Sequence, residues 1–107
     1  MAIVTDTLVE KSTSTPEGMR LFQQEGLVLE VTERICEVMD EKGISRSNLA
    51  KKLGKTKGYI TQILSGHTNL TLRTTADVFT ALGVAGKVTT IPIEQTIGRG
   101  TKRGEVR

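Results

Sequence analysis

The 107-residue chain is poor in the residues that build metal and redox sites. It has one cysteine, Cys36, and one histidine, His67. A single cysteine excludes an intramolecular disulfide, and a reducing compartment is the simple expectation. Any metal site would have to rest on carboxylates or on oligomerisation, so no metal and no cofactor is expected. There is no Trp, one Tyr and two Phe, and no aromatic-lined pocket for a small effector is visible in the pattern. No apolar run approaches the roughly 20 residues of a membrane span. Residues 1–10 lack the basic flank and apolar stretch of a secretory signal. The expected location is therefore cytoplasmic. Ser, Thr, Asp and Glu are scattered rather than grouped, and an enzyme is not expected.

What the chain does have is charge of both signs, unevenly spread. The net charge is +3. Residues 1–41 carry three basic and nine acidic side chains, whereas residues 42–107 carry twelve basic and three acidic ones. No acid stands between Gly43 and Ala76, a stretch that holds Arg46, Lys51, Lys52, Lys55, Lys57 and Arg73. Such a block suits an anionic partner on one face, with a solvated helical surface as the plainer reading.

Residues 1–15, rich in Thr and Ser, read as a flexible N-terminal arm. Thr15-Pro16-Glu17 is a helix start, with a capping hydroxyl, proline at the first helical position and an acid in the first turn. A short helix 16–24 follows, which Gly26 is expected to interrupt. From 27 to 42 the apolar residues Val28, Val31, Ile35, Val38 and Met39 recur at steps of three and four, and Glu30, Glu33, Glu37 and Glu41 mark the wet side. Cys36 lies near the apolar side as a core or boundary residue. Gly43 is placed to stop this helix with a positive φ.

Ser45 is the next N-cap, with Ile44 and Leu49 at the two positions of a hydrophobic staple. The helix 46–53 buries Leu49, Ala50 and Leu53, and Gly54 ends it. Thr56 caps a helix 57–64, with Ile60, Ile63 and Leu64 inward and Lys57, Gly58, Thr61, Gln62 and Ser65 outward. Ser65-Gly66-His67 breaks it. Thr71 caps a helix 72–82 whose inward residues are read as Leu72, Ala76, Phe79 and Leu82. The β-branched run 87–93 predicts an edge strand, limited by Pro92, and residues 98–107 a basic disordered tail. The helical domain is thus expected over 16–83, with 84–107 as strand and tail.

Two short helices joined by a tight turn inside a helical domain form a helix-turn-helix arrangement, here over 45–64. Ala50 is small where the helices cross, Gly54 occupies the corner, and Ile60 and Ile63 pack the second helix back on the domain. The segment GISRSNLAKKLGKTKGYITQILSG (43–66) resembles the Cro/C1-type (Xre family) helix-turn-helix, and NLTLRTTADVFTALG (69–83) resembles that family's next helix. The likeness spans roughly residues 27–83. It implies an all-α, lambda-repressor-like bundle of four or five short helices, here with the C-terminal edge strand appended. It also implies that the helix from Lys57 enters the major groove of double-stranded DNA, usually as one half of a homodimer on a near-palindromic site.

A major groove about 12 Å wide admits one α-helix, whose early exposed residues reach base edges. Those residues are Thr56, Lys57 and Gly58, then Thr61 and Gln62. Gln62 suits the adenine edge, and Lys57 suits guanine or a phosphate. Gly58 either allows close approach of the backbone or accommodates a thymine methyl. Tyr59 sits on the flank, for a phosphate or for covering the domain edge. Ser45 and Arg46 stand at a helix start suited to the sugar-phosphate backbone. His67 and Asn69 lie in the following loop, where the family often touches phosphate. The expected function is a non-enzymatic, sequence-specific transcriptional regulator, most simply a repressor, associated with the nucleoid. The alternative is a protein-interaction module, or an antitoxin-like component, that acts through a partner protein.

Overall fold

Local capping chemistry divides the chain into helices. The computed structural model describes residues 14–96. Four α-helices follow in order: α1 (Pro16–Lys42), α2 (Arg46–Leu53), α3 (Lys57–Ile63) and α4 (Leu72–Ala81), then a 3₁₀ turn at Ile93–Thr96. Ser45, Thr56 and Thr71 all have extended backbone, and their hydroxyls accept from the amides of Asn48, Tyr59 and Thr74 respectively. Each bond satisfies one of the four amides that a helix start leaves without a partner.

Glycine ends the helices that precede the first two connections. Gly54 has φ +69. Its amide donates to the Lys51 carbonyl at 3.2 Å, and the Lys55 amide donates to Ala50 at 2.9 Å. This pair of bonds closes a helix when the residue after it takes the left-handed conformation, which glycine adopts without penalty. Gly43 repeats the arrangement at the end of α1, with φ +67: its amide donates to the Asp40 carbonyl, and the Ile44 amide donates to the Met39 carbonyl.

The expected break at Gly26 is absent, and α1 is one helix of 27 residues. A glycine inside a helix costs about 1 kcal/mol relative to alanine, which weakens a helix without ending it. Gly26 faces open space, where a Cβ would meet nothing within 4 Å. The expected short helices are thus joined into one long element.

Residues 25–87 form one compact unit, and residues 14–24 with 88–96 fall to a second. The core of the first is built from Ile35, Val38 and Met39 of α1, Leu49 and Ala50 of α2, Ile60 and Ile63 of α3, and Val78, Phe79 and Leu82 from the α4 region. Thr32 is buried on the same stripe of α1 and donates its hydroxyl to the Val28 carbonyl at 2.9 Å. This back-bond to the preceding turn satisfies a polar group that the interior would otherwise penalise. Gly86 lies against Phe79, where an added Cβ would come within 2.9 Å of the ring.

The inward face of α4 differs from the expected one. Phe79 and Leu82 are buried, but Leu72 is 83% exposed and Ala76 is exposed. Val78 takes the central place, fully buried. The helix turns its Val78–Leu82 edge to the core, so Ala76 rotates out of the buried stripe and Leu72 projects from the first turn. The helix itself ends at Ala81, with Leu82 as its cap. Likewise α3 ends at Ile63, with Leu64 as its cap.

In the second unit, Gln23 donates to the Thr96 hydroxyl at 2.8 Å, and that hydroxyl donates to the Ile93 carbonyl at 2.7 Å. The expected strand 87–93 does not form, and there is no strand among the described residues. A β-branched run needs a second strand to satisfy its backbone groups, and none is present among the described residues. Val88, Ile91 and Ile93 are accordingly exposed. The expected arm falls outside the described residues apart from 14 and 15, where Thr15 accepts from the Gly18 amide at 3.0 Å. The basic tail 98–107 lies wholly outside them.

Candidate nucleic-acid interface

The turn between α2 and α3 is Gly54-Lys55-Thr56. Its tightness follows from the two capping events on either side: Gly54 closes α2, and Thr56 opens α3 two residues later. Ile60 and Ile63 are buried, Leu64 is half-buried, and together they fix which side of α3 turns to the core. The opposite side is then set by helical geometry. Lys57, Gly58, Thr61 and Gln62 are all exposed on it.

Arg46 joins that surface from another element. It is the first residue of α2, and its Nη1 donates to the Thr61 hydroxyl at 3.2 Å. The guanidinium therefore reaches the second turn of α3. Sequence reasoning placed Arg46 and Thr61 in separate roles, because fifteen residues separate them and no local spacing signals the pair. Ser45, beside Arg46, is exposed and engaged as the cap of α2, with the Asn48 amide 3.1 Å from its hydroxyl. Thr56 is likewise engaged, accepting from the Tyr59 amide at 3.0 Å.

Tyr59 is half-buried, packed at the margin of the core. The Lys55 ammonium stands 5.2 Å from its ring centroid, an arrangement in which the ring quadrupole attracts the cation. Lys55 stands in the turn and not on a helix, so its four-residue separation from Tyr59 does not signal the pair in the sequence.

The loop after α3 is held by its own hydroxyls. Thr68 donates to the Gln62 carbonyl at 3.0 Å, and the His67 amide donates to the Ser65 hydroxyl at 3.2 Å. His67 and Asn69 are exposed there. Thr68, not singled out from the sequence, ties this loop to the end of α3.

Electrostatics favour an anion at this surface. Arg46, Lys55 and Lys57 belong to the acid-free stretch 43–76 and make no ion pair with a described acid. Arg34, by contrast, is taken up on α1. It lies 3.0 Å from Glu37 and 3.6 Å from Glu41. The Glu37 hydrogen bond, then the Glu41 charge, hold its guanidinium pKa above the ordinary arginine value. Among the described residues no helix is long and apolar enough to cross a membrane.

Residues 37–86 match the family model described as helix-turn-helix. No curated protein and no solved structure matches the chain. The matched segment begins at the exposed Glu37 in the C-terminal part of α1, contains the whole of α2, α3 and α4, and ends at the glycine that underlies Phe79. Over residues 37–86 the chain is similar to the helix-turn-helix family of the Cro/C1-type, or Xre, proteins.

Proposed function

We propose that the protein is a sequence-specific transcriptional regulator that occupies a near-palindromic DNA site as a homodimer and represses by blocking the promoter it covers. In this reading α3 lies in the major groove and acts in the nucleoid. Lys57, Thr61 and Gln62 reach base edges, while Gly58 brings the helix backbone near them. Gln62 donates and accepts together, which matches the N6 and N7 positions of adenine. Ser45, Arg46, Thr56 and Tyr59 flank the groove side of the helix pair, and His67 and Asn69 extend the surface toward phosphates.

The observation that carries the reading is the exposed, acid-free face of α3, held in place by the buried Ile60 and Ile63 on its other side. A helix so braced presents its exposed side chains to a groove from a fixed backbone. Two-fold pairing is part of the proposal because one seven-residue helix reads only a few base pairs, and specificity grows when two half-sites are read together. The run 87–93 forms no strand and so offers no strand edge on which two copies could pair.

The test is selection from a random duplex DNA pool at two salt concentrations, with sedimentation of the protein on the enriched duplex. The expected result is an inverted repeat bound by two copies. No enrichment, with binding that vanishes as salt rises, would reduce the basic surface to a nonspecific footprint and turn attention to a partner protein.

A further inference from the structure

The helices of the motif end in two different ways. At the ends of α1 and α2 the backbone closes the last turn through the left-handed Gly43 and Gly54. The end of α3 has no glycine at its cap, which is Leu64 with φ −91. Its last carbonyls meet other donors. Ile60 accepts from the Leu64 amide at 3.0 Å, and Gln62 accepts from the Ser65 amide at 3.2 Å. Gln62 also accepts a second bond, from the Thr68 hydroxyl at 3.0 Å, six residues further along the chain. A side chain thus does at the end of α3 what glycine does at the ends of α1 and α2.

The residue held in this way matters. Gln62 is the last but one of seven residues in α3, within the terminal turn where helices fray. Its side chain is exposed, so no packing in the folded chain sets its direction. That direction starts from the backbone, and the Gln62 backbone is held by the Ser65 amide and the Thr68 hydroxyl. Thr68 in turn stands on a braced segment. It is half-buried, the His67 amide beside it donates to the Ser65 hydroxyl at 3.2 Å, and Leu70 packs against the core two residues later. We infer that Thr68 is a positioning residue for base recognition, whose hydroxyl holds the end of α3 so that Gln62 meets its base from one fixed direction. The inference rests on the proposed reading of α3 as the groove-facing helix. It adds to that reading a specificity-determining residue that itself touches no base.

The test compares the full-length protein with Thr68→Val, Thr68→Ser, Gln62→Ala and the double variant Thr68→Val with Gln62→Ala. Each is titrated on the duplex enriched from the random pool and on an unrelated duplex, below its own melting temperature. Thr68→Val keeps the branched shape and removes the donor, while the Gln62 carbonyl keeps its bond from the Ser65 amide, so no acceptor is stranded. Thr68→Val is expected to bind the enriched duplex roughly three- to tenfold more weakly, the range that one net hydrogen bond sets, and the unrelated duplex unchanged. Thr68→Ser restores the donor and should bind as the wild type does. In the Gln62→Ala background, Thr68→Val should cost no further affinity, because the side chain it orients is gone. A merely structural hydroxyl would cost the same in both backgrounds and on both duplexes. Wild-type affinity of Thr68→Val, an equal loss on the two duplexes, a loss that Thr68→Ser does not restore, or an undiminished loss in the Gln62→Ala background would each overturn the inference. If Gln62→Ala alone still weakens the enriched duplex in those cases, the groove-facing reading of α3 stands without Thr68. If Gln62→Ala binds as the wild type does, that reading falls and the inference falls with it.

Discussion

The guanidinium of Arg46 donates to the hydroxyl of Thr61 across 3.2 Å, so the first residue of α2 is held against the second turn of α3. Both residues are exposed, and the bond contributes little to the stability of the free protein. Its consequence is positional, because a long side chain with many rotamers is given one direction. Thr61→Val keeps the branched shape and removes the acceptor. The expected result is that Thr61→Val and Arg46→Ala each weaken binding to the enriched duplex, with the double variant short of their sum by about 0.5–3 kcal/mol. Titration of the four proteins on one duplex measures this, and strict additivity would dissolve the pair. Arg46→Ala should also lower the slope of log affinity against log salt by about one if the guanidinium neutralises a phosphate.

Gly54 sets the corner of the helix pair through a backbone conformation that other L-residues adopt at a cost of roughly 1–2 kcal/mol. Gly54→Ala should therefore lower the melting temperature, by about 4–8 °C per kcal/mol for a domain of this size. Gly86→Ala should destabilise for another reason, overpacking against Phe79, at about 1–3 kcal/mol. Thermal melts followed by circular dichroism check both. A Gly54→Ala variant as stable as the wild type would show that the left-handed corner is not what fixes the turn.

Leu72 and Leu82 have the same chemistry and open and close the same helical segment, yet one is 83% exposed and the other 2%. Leu82→Ala is expected to cost about 2–5 kcal/mol, through lost burial and a cavity. Leu72→Ala should stay within about 0.5 kcal/mol. Denaturant unfolding of the two variants gives the difference directly, and equal costs would mean that α4 packs on a different face.

That contrast marks where the sequence stops being readable. The starts at Ser45, Thr56 and Thr71 and the stops at Gly43 and Gly54 are legible because each acts within a few residues, through a hydroxyl on a nearby amide or a left-handed glycine. The core residues Ile35, Leu49, Ala50, Ile60 and Ile63 follow from spacing within those bounds. The face of α4 is harder, since Phe79 belongs both to a stripe through Leu72 and Ala76 and to one through Val78 and Leu82, and tertiary packing chooses between them. The β-branched run 87–93 satisfies strand propensity, but propensity cannot supply a pairing partner. Gly26 reads locally as a break, and only the length of uninterrupted pattern on both sides overrides it. At the candidate interface, the outward side of α3 is legible from its inward side. The Arg46–Thr61 and Lys55–Tyr59 pairs depend on how side chains lie in space, which periodicity does not encode.

The most direct measurement for the account is the random-pool selection run in parallel with the wild type and Gln62→Ala. The account predicts that the wild type enriches an inverted repeat. Gln62→Ala should enrich the same repeat with the preference relaxed at one position per half-site, and bind the wild-type sequence about 1–3 kcal/mol more weakly. Identical enriched sequences and affinities for the two proteins would contradict the claim that the exposed face of α3 reads DNA.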